Sequence, residues 1–189
     1  MSNYDPKKYW TDRGKNYSVS ADTSAELKNL GELVLQYGQM GDLIMEIGSG
    51  YGRLFDYLLM NEFIRDKAYL MCDISETMIK ECKERTGIAP TLWDGKKIMH
   101  YDNTFDMVFS FSVMLHVPLS EIFDHFKETI RIAKKYVYIA TYYGPATGLA
   151  PHCFRHDYDF LIDLFKLKIV DKKLFIDGLR VNWLLEKEV

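Results

Sequence analysis

The sequence predicts an α/β fold: a three-layer αβα sandwich around about seven strands, mostly parallel, with an antiparallel C-terminal hairpin strand. Three observations predict it. Short apolar runs alternate with segments of helical periodicity, the pattern of parallel strands joined by crossover helices. A glycine-rich turn with Gly48, Gly50 and Gly52 directly follows the first apolar run, "DLIM", as at a strand-to-helix turn of an open sheet. Two strand-like segments, "KIVDKKLFI" and "RVNWLLEKE", adjoin near the end with an Asp-Gly between them, a hairpin signal.

Taken in order, the first two dozen residues are polar with four aromatics, Tyr4, Tyr9, Trp10 and Tyr17, and read as an N-terminal arm with room for a short helix. "TSAELKNLGELVLQY" is a helix, with Thr23 and Glu26 spaced as a capping box. Gly38 and Gly41 end it. "DLIMEIG" is the first strand, nearly all apolar as a buried parallel strand must be, and "GRLFDYLLM" the helix after the glycine turn. "KAYLMCDIS" is the second strand, with Ser75 capping the helix "ETMIKECKER". "APTLWDG" is the third and "TFDMVFSFSVMLHV" holds the fourth. Ser120 is the expected cap of "EIFDHFKETIRIAKK", whose Ile122, Phe123, Phe126, Ile130 and Ala133 share a face. "YVYIATY" is the fifth strand and "DYDFLIDLFK" the last helix. "RVNWLLEKE" reads as an edge strand protected by its closing charges.

At 189 residues a single domain, 1–189 with 1–23 as arm or lid, is expected. The net charge of -3, with Lys and Arg scattered, argues against nucleic acid as a partner held by phosphate neutralisation. Three cysteines without a C-x-x-C spacing point to no disulfide framework and no metal site, and fit a reducing cytoplasm. No apolar run approaches the ~20 residues of a membrane span, so no membrane partner is expected.

Ligands of an open α/β sheet bind beyond the carboxyl ends of the strands. There the sequence places Glu46 and the glycine turn, then Asp73, then Asp94, then Ser110 and His116. The glycine spacing is not that of a P-loop and departs from the dinucleotide fingerprint. Asp73, about two dozen residues after the turn, suits the hydroxyls of a ribose. Asp94 can accept from an exocyclic amine or simply shape its own Asp-Gly turn. Three carboxylates on one rim repel a pyrophosphate and suit a ligand that is cationic, hydroxylated and amine-bearing.

"EIGSGYGR" resembles the first motif, E/D-x-G-x-G-x-G, of the class I S-adenosylmethionine (SAM)-dependent methyltransferases, a Rossmann-like family. "DGKKIMHYDNTFDMVFSFSVMLHV" resembles that family's run from its third to its fourth motif, and the likeness covers most of the chain. The resemblance implies SAM as cofactor. It places Gly48, Gly50 and the Ser49 backbone, with Gly52 and Arg53 closing the loop, against methionine and ribose, and Glu46 on the ammonium. It places Asp73 on the ribose hydroxyls, Ile74 beside the adenine, Asp94 and Gly95 at the adenine edge, and the Ser110 carbonyl toward the ammonium. Tyr17 and Trp10 would form a lid. Ile98, Met99 and His100 stand where many members have Leu-Pro-Phe, a loop outside cofactor binding.

A general base is expected from His116 or, second, His156 in "HCFRHDYD", where Asp157 can equally cap a helix; both can equally be packed histidines. Tyr142 and Tyr143 are candidates for the pocket wall. "SFSV" replaces the N-P-P-Y-like motif of nucleic-acid amino-methylating enzymes. A small-molecule acceptor, methylated on oxygen or nitrogen, is therefore the leading expectation. Alternatives are a protein or RNA nucleoside acceptor, a non-catalytic SAM-binding protein, and a dinucleotide oxidoreductase, which the glycine spacing and Glu46 oppose.

Overall fold

The computed structural model of the chain describes residues 4–14, 23–145, 147–176 and 178–188. Helix α1 (Pro6–Gly14) precedes α2 (Ser24–Tyr37), β1 (Leu43–Ile47), α3 (Arg53–Met60), β2 (Ala68–Asp73) and α4 (Glu76–Thr86). Then come β3 (Thr91–Leu92), β4 (Phe105–Phe111), a 3-10 helix (Met114–His116), α5 (Ile122–Ile132), β5 (Ala133–Tyr142), α6 (Tyr158–Leu164), β6 (Leu167–Phe175) and β7 (Arg180–Lys187). The seven strands form one sheet in the order β3-β2-β1-β4-β5-β7-β6. Strands β1 to β5 are mutually parallel, and β7 runs antiparallel to both β5 and β6.

Side chains alternate across the sheet and build two cores. Met45, Ile47, Val108, Val137, Ile139 and Trp183 meet Phe126 and Ile130 of α5 and Leu161 of α6 on one face. Ile44, Met107, Phe109, Tyr138 and Leu184 meet Leu27 and Leu30 of α2 and Leu58 of α3 on the other. Helices on both faces make the three layers that the alternating pattern implies. Chain order reverses between β1 and β4: β2 lies on one side of β1 and β4 on the other, opening a crevice at their carboxyl ends.

Several local expectations change. Thr23 is the N-cap of α2, yet its side chain makes no cap hydrogen bond. Its Oγ1 accepts from Arg53 Nη1 instead, and Glu26 is buried in an ion pair with Arg180 of β7 at 2.8 Å, so both halves of the capping box serve tertiary contacts. Glu121 rather than Ser120 is the N-cap of α5. That helix ends at Ile132, because Ala133 already pairs with Phe105 and Lys134 reaches Asp106 of β4 at 2.8 Å. The third strand is only two residues long. Segment "RVNWLLEKE" is not an edge: β7 is inserted between β5 and β6, with Val181 to Leu185 buried, and the lysine-bearing β6 takes the edge. Ser75 caps α4 by accepting from Met78 N at 3.2 Å, as expected. The Gly178 amide turns the hairpin back onto Phe175 O, while Asp177 of the expected Asp-Gly pair lies outside the described residues.

Candidate active site

The glycine turn between β1 and α3 folds against the end of β2. The amides of Gly48 and Ser49 both donate to Cys72 O, at 2.8 and 3.1 Å, and the Gly50 amide donates to Asp73 Oδ2 at 2.8 Å. Gly48 has φ +71°, and a Cβ there would sit 2.4 Å from Val113 Cγ2, so only glycine lets β1 and the segment after β4 approach. A Cβ on Gly52 would strike Thr86 and Cys82 of α4 at 2.6 and 2.8 Å. Gly52 packs two helices together and does not face the cleft.

Around this turn lies a cleft of about 730 Å³, whose wall includes Glu46, Gly48, Ser49, Gly50, Arg53 and Asp73. Ile74 and His116 also line it. Asp73 is buried, its Oδ1 accepting from Ser75 N and its Oδ2 from Gly50 N, both at 2.8 Å. Burial raises its pKa, and these amide bonds oppose the rise. Glu46 is more deeply enclosed, and Oε2 accepts from Tyr69 Oη at 2.9 Å. Burial pushes its carboxyl up to about 8; the Tyr69 bond and Arg53 pull it down, and the neighbouring Asp73 pushes it further up. Ser49 Oγ is buried at the same wall with no hydrogen-bond partner among the described residues. The site thus offers an idle hydroxyl, a carboxyl whose pKa burial raises, and an acceptor carboxylate fixed by the backbone. That set fits a ligand that brings positive charge and hydroxyls.

The wall opposite was not legible in the sequence. Ser110 is fully buried inside the sheet, opposite Ile47 and Ile139, and the residues that reach the cleft are Phe111, Ser112 and Val113. Ser112 has φ +61° and donates its amide to Ala140 O at 2.7 Å. Arg180 holds it: Nη2 donates to Ser112 Oγ at 2.7 Å while Nε contacts both Glu26 carboxylate oxygens. Such a left-handed serine persists only where its surroundings impose it.

A second cavity, of about 470 Å³, shares Trp10, Gly48, Ile74, Val113 and His116 with the first. It runs on to Gly95, Trp93 and His125. Asp94 is not on either wall. It is exposed, and its Oδ1 accepts from the Lys96 and Lys97 amides at 2.9 and 3.3 Å, closing its own turn.

The roof over both cavities is Trp10 of α1, packed edge-on against His116 at 4.7 Å. Helix α1 is anchored to α4, where Thr77 Oγ1 donates to Thr11 O at 2.9 Å. His116 Nδ1 lies 3.0 Å from the His152 carbonyl, which can only accept, so the ring proton sits on Nδ1 and Nε2 keeps its lone pair. Burial lowers the His116 pKa to about 4. His156 lines neither cavity: it is buried, with Nε2 3.0 Å from Met114 O. Asp157 caps α6 by accepting from Phe160 N at 3.0 Å. Tyr142 bonds Pro145 O and Tyr143 packs on Trp183, so neither lines the cavities. Tyr17 lies outside the described residues.

The sequence matches a family model described as "Methyltransferase domain" over residues 44–136, from β1 into β5, the stretch that supplies every wall residue of both cavities except those of α1. No curated protein matches the chain. Among solved structures, magnesium protoporphyrin IX methyltransferase from Synechocystis, with bound SAM, is similar with a TM-score of 0.70 at 14% identity, covering 100% of each chain. A SAM-dependent methyltransferase from Aquifex aeolicus is similar with a TM-score of 0.63 at 17% identity, covering 86% of this chain and 97% of that one. Phosphoethanolamine N-methyltransferase 1 of Haemonchus contortus gives 0.62 at 16% identity, covering 95% of this chain and 47% of that one. At such identities the neighbours show the fold; the family match over the cleft-building segment carries the activity. Residues 44–136 are a methyltransferase domain, and the fold around it is that of the class I SAM-dependent methyltransferases.

Proposed function

We propose that this methyltransferase acts on a small molecule, at an oxygen or nitrogen atom. One observation carries the reading: the cleft is a concave site roofed by Trp10 and His116 rather than an open basic surface. The neighbours named for magnesium protoporphyrin IX and phosphoethanolamine support it, as both names are those of small molecules. The chain would work as one domain with residues 1–23 as an arm over the cleft, in the reducing compartment that its three free cysteines suit. Among the described residues no helix is long and apolar enough to cross a membrane.

SAM supplies an electrophilic methyl group on a positively charged sulfur. The residues then divide the work. Glu46, ionised by a cation beside it, takes the ammonium end, and Asp73 accepts from the ribose hydroxyls through the lone pairs its amide bonds leave unused. Gly48, Ser49 and Gly50 admit the ligand close to the backbone. Ile74 and Gly95 flank the adenine at the second cavity. Trp10 closes the roof and holds water away, and alignment of this kind is worth up to ~7–11 kcal/mol of barrier. His116 Nε2 accepts a proton where the acceptor must lose one, a contribution of about 10²–10⁴-fold. His156, packed away from both cavities, receives no part in this scheme.

The test is to incubate the protein with methyl-labelled SAM and a cell extract, then separate small molecules, protein and RNA. Label in the small-molecule fraction is expected. Label confined to protein or RNA overturns the acceptor class. Thermal stabilisation by SAM without any transfer identifies a binding protein.

A further inference from the structure

We propose that His116, His152 and Cys153 form a binding site for a soft divalent cation of the zinc type in the roof of the cleft. One ligand atom from each residue lies within 4.8 Å of the other two, and all three side chains are half-buried, so an ion can reach them. His116 Nδ1 and Cys153 Sγ are 3.6 Å apart. A tetrahedral ion with metal–nitrogen bonds of about 2.0–2.1 Å and a metal–sulfur bond of about 2.3 Å places such a pair roughly 3.5 Å apart, so two ligands already stand at ligand spacing. The third must close by roughly 1 Å, within the reach of a side-chain rotation.

The donor set selects the ion. Two imidazoles and a thiol suit zinc or copper, whereas magnesium and calcium need oxygen ligands, and this cluster has no carboxylate. Aromatic neighbours hold both rings in place. Trp10 packs edge-on against His116, Tyr9 stacks on His152 with centroids 4.5 Å apart, and the Tyr9 hydroxyl lies 3.2 Å from His152 Nε2. The sequence hides the site because the ligands come from a 3-10 helix and a loop, with His116 and His152 36 positions apart.

Three protein ligands leave a fourth position open. His116 lines both cavities while His152 and Cys153 line neither, so the ion would stand behind the His116 ring, on its Nδ1 side. The fourth ligand is water, and the ion fixes the His116 ring beside the acceptor, a role that rests on the methyl-transfer reading. As the ion binds, the Cys153 thiol proton passes to solvent and the His116 ring proton moves from Nδ1 to Nε2, so that Nδ1 exchanges its bond to the His152 carbonyl for the metal. Nε2 is then a donor when the ion is present and the proton acceptor when it is not.

Cobalt(II) tests the site without any turnover. Titrated into the reduced full-length protein, it should bind at one equivalent with a thiolate-to-cobalt charge-transfer band, and zinc should displace it. Cys72 and Cys82 are 2% and 0% exposed, so the band reports Cys153. Cys153→Ser should remove the band, and His152→Ala should weaken binding at least tenfold. Retained circular dichroism and stabilisation by SAM certify that each variant is folded. No band at one equivalent, or a band that survives in folded Cys153→Ser, overturns the proposal. Either result leaves the methyl-transfer reading untouched, since the readout involves no acceptor.

Discussion

The floor and the roof of the cleft are built in opposite ways. On the floor, Gly48, Ser49, Gly50 and Asp73 are tied by backbone hydrogen bonds to the ends of β1 and β2. On the roof, Trp10, His116 and His152 meet through ring packing between a terminal helix, a 3-10 turn and a loop. A floor set by strand ends holds a fixed cofactor geometry, while a roof assembled from loops is free to vary with the acceptor. Substitutions on the floor should therefore abolish SAM binding, and those on the roof should spare it.

The largest effect is expected at Gly48. Gly48→Ala forces a left-handed alanine, about 1–2 kcal/mol, and drives its Cβ into Val113, adding about 1–3 kcal/mol. SAM binding should disappear. Gly50→Ala is the control: it has positive φ but open space around its Cβ, so it should lose only the first increment, about 1–2 kcal/mol by denaturant titration. Equal losses at the two positions would break the view that close approach at Gly48 shapes the floor.

Asp73→Ala comes next. It removes the proposed ribose acceptor and strands the Gly50 and Ser75 amides, each worth about 1–3 kcal/mol when buried and unpaired. SAM affinity measured by calorimetry should fall about 100-fold or more, equivalent to roughly 2.7 kcal/mol. A change below threefold refutes the ribose contact.

Glu46 gives a smaller effect with a pH signature. With its pKa held at about 8 by burial, against an ordinary value of 4.5, the ligand-free fold keeps a proton that the unfolded chain has lost. The stability from this group is fully present below about 4.5 and is lost as pH rises toward 8. His116, His125 and His156, each lowered to about 4 by burial, act in the opposite sense, but only below about 6.5. The window from pH 6.5 to 8 therefore isolates Glu46 among Tyr69, Asp73 and Arg53. There ligand-free stability should fall, and SAM affinity should rise as a proton is released. Glu46→Gln should flatten both trends and weaken SAM about tenfold near pH 8. Calorimetry in buffers of different ionisation enthalpy reads the proton; a wild-type affinity that ignores pH across this window refutes the assignment.

Trp10→Ala should change least on the floor. SAM affinity should stay within about threefold, while methyl transfer slows about tenfold as the acceptor loses its cover. A loss of SAM affinity as large as that of Asp73→Ala would erase the distinction between floor and roof.

The floor was largely legible in the sequence because its signals are local. Strand periodicity, the glycine turn and a carboxylate two dozen residues on all follow from neighbouring backbone. The roof and the far wall depend on contacts between distant segments. Nothing near Ser112 announces its left-handed backbone, which Arg180 imposes from 68 residues away. Asp94 shows the turn role that the sequence also offered: the Lys96 and Lys97 amides both claim its Oδ1. The capping box failed alike, since Glu26 is drawn to a buried arginine with which it can form two hydrogen bonds.

The most direct test of the floor is a crystal structure of the protein with S-adenosylhomocysteine. Both ribose hydroxyls should lie within hydrogen-bond distance of the Asp73 carboxylate, the ammonium beside Glu46, and the sulfur beneath Trp10 and His116. A nucleoside bound away from Asp73, or an amino-acid end directed away from Glu46, would contradict it.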